Sequence, residues 1–296
     1  YASLIDKVGW PNCPKYILTA TAQDDFFKHW CAHNVELGSK LILMQHGGNY
    51  GLNLFSSYEE YEIDIADKYI TWGWTSKTFQ SKVVPFKITK NLLNQKIKPN
   101  NNGKIILCLT TVPKFSYHLF SAIISYGQWK RYMEDISIFL KKLNSNISKN
   151  IYVRPDPNDR SLDQVKIMYK LFPKVKFDNR EKSFQKVLSN YSIFIGTHNT
   201  TIFLETLSLN FPTILFWNKE HWELRKDAKV AFNLLEEVGI FHESIEKATN
   251  FLDLIYPNIN QWWFSKNTQK NIKKFCSIYC SNKKSIFYIN QTIKSI

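Results

Sequence analysis

The residues best placed to do chemistry stand at the end of an apolar run. Leu41-Ile42-Leu43-Met44 gives way to Gln45-His46 and then to Gly47-Gly48-Asn49-Tyr50-Gly51. Histidine titrates near neutral pH, and glycine lets a backbone approach a ligand closely or take dihedrals closed to other residues. His46 is therefore the first choice for a general acid or base. Gln45, Gly47, Gly48, Asn49, Tyr50 and Gly51 would line the substrate beside it. Glu59, Glu60 and Asp64 follow on an expected helix, where they can orient the imidazole or act themselves. The opposing reading is a histidine locked in a tight turn.

A second group follows the apolar run Tyr191 to Gly196: Thr197-His198-Asn199-Thr200-Thr201, directly before an expected helix. Hydroxyls and free amides at a helix start, with the dipole behind them, suit an anion such as phosphate. The plainer reading is that Asn199 or Thr200 caps the helix. Glu205, one turn in, points at the same crevice and suits ribose hydroxyls. Arg154, ending the run Asn150 to Pro155, would bring a fixed positive charge. His29 and His33 have metal-compatible helical spacing but lack a third ligand, so no metal is expected. No GxGxxG, Walker or GxSxG motif is present, and no cofactor is indicated.

The elements that must carry these residues alternate. Residues 21–37 predict a helix, 40–45 a strand, 55–66 a helix and 68–72 a strand, the unit of a parallel sheet with crossover helices. A polar stretch, Asn91 to Gly103, reads as a linker and divides the chain into expected domains 1–98 and 99–296. Beyond it the alternation repeats. Strands are expected at 104–111, 150–155, 174–177, 191–196 and 212–217, with helices at 128–143, 162–171, 182–188 and 201–209. Ligands in such sheets bind beyond the carboxyl ends of the strands, where both groups fall.

Composition narrows the class. The 296 residues are 44% hydrophobic and 15% aromatic, enough for a packed core. No apolar run reaches the roughly 20 residues of a membrane span. Five cysteines without CxxC spacing suggest a reducing compartment. A net charge of +14 favours an anionic partner. Most of that charge is lysine, and three of the five arginines (Arg154, Arg160, Arg180) share one short region. The tail from Trp262 carries Ile272, Phe275, Cys276 and Tyr279 at helical spacing. It reads as a closing helix or, alternatively, as a peripheral contact with an anionic membrane.

Two longer segments carry a resemblance. QHGGNYG followed by YEEYEIDIADKYITWGW resembles a family of bacterial surface-carbohydrate transferases, and THNTTIFLETLSLNFPTILFWN resembles that family's downstream donor motif. The family is similar in turn to GT-B glycosyltransferases that move 3-deoxy-manno-octulosonic acid (Kdo) from its CMP ester. The likeness runs from about Pro14 onward. It implies an α/β fold with two Rossmann-like domains facing across a cleft. The first would be truncated, since its leading strands are not found before Tyr1.

On this resemblance His46 and Gly47 to Gly51 would line the acceptor side, and Arg154, His198, Thr200, Thr201 and Glu205 the donor side, with Asn199 among them. The chain departs from the pattern after Arg154, reading Pro155-Asp156-Pro157 where related transferases often place a histidine before proline. The implied activity is glycosyl transfer in surface polysaccharide or glycolipid synthesis. The donor would be a nucleotide-sugar, CMP-linked and Kdo-like, and the acceptor a glycan or glycolipid. The expected location is cytoplasmic, or peripheral at the inner membrane. Alternatives are CDP-alcohol (glycero)phosphotransfer, since teichoic-acid enzymes share the second motif, and nucleic-acid binding. Charge alone suggests the latter, without a recognition motif.

Overall fold

The computed structural model describes residues 9–22, 24–87, 97–115, 125–158, 160, 162–178, 180–281, 288, 290, 291 and 294. Its first half holds β1 (Tyr16–Thr19), α1 (Asp25–Glu36), β2 (Lys40–Met44), α2 (Ser57–Ile65), β3 (Lys68–Thr71) and β4 (Val83–Pro85). The strands form one parallel sheet in the order β1-β2-β3-β4. Helix α1 starts later than the sequence suggests. Asp24 is the cap, and its carboxylate accepts from the Phe27 N–H at 2.9 Å. Ser56 caps α2 in the same way. Of the expected linker, residues 91–96 lie outside the described residues.

The second half repeats the alternation. It holds β5 (Ile105–Cys108), α3 (Tyr126–Lys142), α4 (Ser145–Ser148), β6 (Ile151–Arg154), α5 (Gln164–Leu171), β7 (Lys176–Phe177) and α6 (Phe184–Leu188). Then come β8 (Ile193–Gly196), α7 (Thr201–Ser208), β9 (Thr213–Phe216), α8 (Lys226–Glu236) and β10 (Phe241–His242). All six strands are parallel, in the order β10-β9-β8-β5-β6-β7. Strands β5, β8 and β9 are buried at every residue, as apolar runs covered by helices on both faces must be. The order reverses between β5 and β8. That is the doubly wound pattern, and its crevice lies beyond the ends of those two strands.

Helices α9 (Ile245–Ile255), α10 (Ile259–Trp263) and α11 (Lys266–Tyr279) close the fold. Helix α11 buries Ile272, Phe275 and Tyr279 of the stripe expected of the tail, while Cys276 is half-buried. Its end reaches back to the first sheet. The Ser281 N–H donates to the Trp72 carbonyl at 3.0 Å, and Gly73 (φ +130°) leaves no room for a side chain beside the Ile278 carbonyl. Tyr288 stacks on Phe86, with ring centroids 6.3 Å apart. Residues following β2 touch residues following β8 and β9, so the carboxyl edges of the two sheets face one another. Among the described residues no helix is long and apolar enough to cross a membrane.

Candidate active site

The glycine turn is built by Gln45. Its Oε1 accepts from the Trp72 N–H at 2.9 Å and the Trp74 indole N–H at 2.8 Å, and its Nε2 donates to the Gly47 carbonyl at 2.8 Å. The side chain, 1% exposed, thus ties the end of β2 to the end of β3 and is engaged within the protein. This differs from the substrate contact expected of it. Gly51, at φ +75°, lies where a Cβ would stand 2.5 Å from the Trp74 ring. At Gly48 a Cβ would stand 2.6 Å from the backbone of Thr201. The Gly48 N–H donates to Thr201 Oγ1 at 3.0 Å. Only glycine lets the turn meet the start of α7 so closely. Gly47 is restricted more locally, by the Asn49 side chain, and Asn49 is half-buried within the turn.

His46 stands between the two sheets with 30% of its side chain exposed. Its Nε2 is 3.3 Å from the Tyr50 hydroxyl, and its Nδ1 is 4.0 Å from Glu62 Oε1. Glu62 was not singled out in the sequence. The three acids that were take other positions. Glu59 Oε2 accepts from the Gly51 N–H at 2.6 Å, and its Oε1 from Arg225 Nη2 at 2.5 Å. It holds the turn rather than the imidazole. Glu60 and Asp64 lie on the exposed face of α2. The reason is helical phase: residues 59, 62, 63 and 66 share the buried face and 60 and 64 the outer one.

Glu62 is wholly buried, and burial pushes its carboxyl up to about 8 against the pull of hydrogen bonds from Tyr69 and Tyr50. The Tyr69 hydroxyl donates to Glu62 Oε2 at 3.4 Å. Burial likewise raises the Tyr50 phenol, with Glu62 adding to the shift.

On the opposite wall Thr197 donates from its hydroxyl to the Cys108 carbonyl at 2.7 Å and lies 2.6 Å from the Tyr132 hydroxyl. These bonds fix the ends of β5 and β8. His198 is buried, and desolvation pushes its imidazole down to about 3, so it is neutral at physiological pH. Asn199 donates to Asn53 Oδ1 across the junction at 2.8 Å. Thr200 is the N-cap of α7 without a side-chain capping bond, Thr201 is half-buried, and Glu205 is buried one turn in. Arg154 differs from expectation. Its guanidinium is ion-paired with buried Asp178 and donates to the Lys182 carbonyl at 3.1 Å, so its charge is compensated in place.

The sequence reading also missed a cavity of about 290 Å³ beyond the ends of β8, β9 and β10. Thr197, Trp217, Asn218, Lys219, Glu220 and Glu243 line it, with Tyr132 and Asp135 from α3. The Trp217 indole N–H is buried and has no hydrogen-bond partner among the described residues. The signal was available in the apolar run Thr213 to Trp217 ending in Asn218-Lys219-Glu220, the same strand-end pattern as at His46. The following segment crosses back to the first sheet. Leu224 bridges Asn53, the Leu54 N–H donates to the Glu223 carbonyl at 2.9 Å, and the Arg225 N–H donates to the Leu52 carbonyl at 3.0 Å. Among the described residues no group of three His, Cys, Asp or Glu is placed to hold a metal ion.

This arrangement has counterparts among solved structures. Staphylococcus aureus MnaA in complex with UDP is similar with a TM-score of 0.56 at 11% identity, over 99% of this chain and 76% of that one. The spinosyn rhamnosyltransferase SpnG, complexed with spinosyn aglycone, gives 0.53 at 10% identity over 99% and 76%. At such identities the likeness is one of fold, and it agrees with the GT-B-like, two-unit α/β architecture. No curated protein matches the chain in sequence. A family model matches it over residues 1–291, and the chain belongs to that family, the LIC12162 family transferases.

Proposed function

We propose that this transferase moves a sugar from a nucleotide-activated donor to a hydroxyl of a glycan or glycolipid in surface-carbohydrate synthesis. The observation that carries the reading is the junction of Gly48 with Thr201. It sets a half-exposed histidine on one sheet against a helix start and a cavity on the other. The nucleotide occupies the cavity. The Trp217 indole N–H meets its base or sugar, and Glu205 with the cavity's carboxylates meets ribose hydroxyls. The phosphate lies at the start of α7, beside Thr200 and Thr201.

His46 is the base. As the acceptor oxygen bonds to the anomeric carbon, its proton passes to the imidazole. The bond from that carbon to the phosphate oxygen breaks, and the phosphate leaves with the electron pair. The dipole of α7 favours the charge it gains. His198, buried and neutral, shapes the pocket and does not exchange protons.

The sequence resemblance favours a CMP-linked, Kdo-like sugar, whereas the UDP in the MnaA complex makes uracil the competing base. Assaying CMP- and UDP-sugars with the wild-type protein and His46→Ala tests the reading. The expected result is transfer from one class, lowered on the order of 100-fold or more in the variant while nucleotide binding persists. Turnover of a CDP-alcohol instead would move the protein to phosphotransfer. Undiminished turnover in folded His46→Ala would remove the base.

A further inference from the structure

Glu62 has no role in the scheme so far, yet it is wholly buried against the one side chain assigned a proton. The groups that face it come from three elements. His46 and Tyr50 come from the glycine turn, Tyr69 from β3, and Glu59 from its own helix α2. Tyr50 touches both partners. Its hydroxyl lies 3.3 Å from His46 Nε2 and also hydrogen-bonds Glu62. The Tyr50 ring packs edge-on against the imidazole, with centroids 4.9 Å apart. Histidine, tyrosine and glutamate therefore close a triangle whose open side is the exposed edge of His46.

A carboxyl with no exposed surface is costly to keep in a core, and a glutamine or leucine of similar size would fill the same volume. Packing alone does not call for it. Its Oε1 lies 4.0 Å from His46 Nδ1, within ion-pair distance of a protonated imidazole.

We propose that Glu62 is the positioning residue of the acceptor-side base. In its ionised form it draws the Tyr50 hydroxyl proton toward itself and holds the proton of His46 on Nδ1, so that Nε2 can accept the proton of the acceptor hydroxyl, and it stabilises the imidazolium that forms. This rests on the reading of His46 as the base. Tyr50 is the hinge of the triangle, touching both the ring and the carboxylate. The proton balance is simple: the acceptor hydroxyl loses one proton, His46 gains it, and Glu62 remains a carboxylate throughout the step. The pair acts as a base only once Glu62 has given up its own proton, so burial of this residue sets the pH at which transfer switches on.

The test is the pH profile of kcat/KM from pH 6 to 10 in wild type, Glu62→Gln, Glu62→Asp and His46→Ala. Wild type is expected to rise through about pH 8, the point to which burial lifts Glu62. Glu62→Gln keeps the volume and the Tyr69 contact. It is expected to lose that rise and to fall on the order of tenfold or more at high pH. Glu62→Asp should retain a rise at a displaced pH. A Glu62→Gln profile parallel to wild type overturns the proposal.

If His46→Ala is fully active, the base reading fails instead, which separates the two. Should Glu62→Gln not fold, the nitrogen resonances of His46 in the wild-type protein decide the matter without turnover. A step near pH 8 on Nδ1 supports the pairing, and its absence overturns it.

Discussion

Glu59 and Glu62 lie three residues apart on one helix and meet different fates. Glu59 reaches Arg225 and the Gly51 N–H, whereas Glu62 faces two phenols, an imidazole and the Glu59 carboxyl, with no cation beside it among the groups that shift it. The consequence is visible in stability. Glu62 binds its proton up to about pH 8 in the fold, against an ordinary 4.5. Between those values the folded state holds more protons than the unfolded one, so stability falls as pH rises. The loss is complete above about 8. Histidines 198 and 242 work in the opposite sense. Burial lowers them to about 3 and about 4, so the unfolded state binds more protons and stability falls as pH drops below about 6.5. Urea midpoints across pH 5 to 9 should therefore peak near pH 6.5, where the opposing slopes cancel, and Glu62→Gln should flatten the alkaline side by a few kcal/mol. An unchanged alkaline slope in the variant would contradict this burial. At this scale the sequence was only partly legible. His46 and its glycines announced themselves by type, but four acids between residues 59 and 64 look alike until helical phase is fixed. Gln45 gave no sign that its amide would be engaged by two tryptophans 27 and 29 residues away.

At the scale of elements, the uniformly apolar strands were legible because burial on both faces leaves no other composition. Strand β4, three residues ending in Pro85, was not, since so short an edge carries no period. Nor were α8, β10 and α9, which the reading passed over between the donor motif and the tail. The glycines test how elements meet. Gly51→Ala forces a left-handed alanine into the Trp74 ring and should cost about 2–4 kcal/mol in denaturation. Gly48→Ala pushes on the backbone of Thr200 and Thr201 in the facing unit. It should leave the circular dichroism intact while lowering turnover on the order of tenfold to a hundredfold. Gly127, in the first turn of α3 with nothing within 4 Å, is the control. Alanine there should stabilise the protein by up to about 1 kcal/mol.

At the scale of the molecule, two parallel sheets present their carboxyl ends to one another, and the contacts between them are chemical as much as apolar. Gly48 meets Thr201, Asn53 meets Asn199, and Glu59 meets Arg225. The repeated alternation of strand and helix foretold two such sheets. It did not foretell which residues would touch across the junction, because contacts 146 to 166 residues apart leave no local pattern. The central claim is that the second sheet and the start of α7 hold a nucleotide. Melting curves with CMP, UMP, GMP and AMP test it most directly. At a hundred times its dissociation constant, a nucleotide bound to the folded state adds about 2.7 kcal/mol. That is a rise of roughly 5–10 °C for a chain of this class. The account predicts that CMP raises the midpoint most and that Thr201→Val and Glu205→Ala each shrink the rise. A folded protein whose midpoint none of the four nucleotides moves would contradict it.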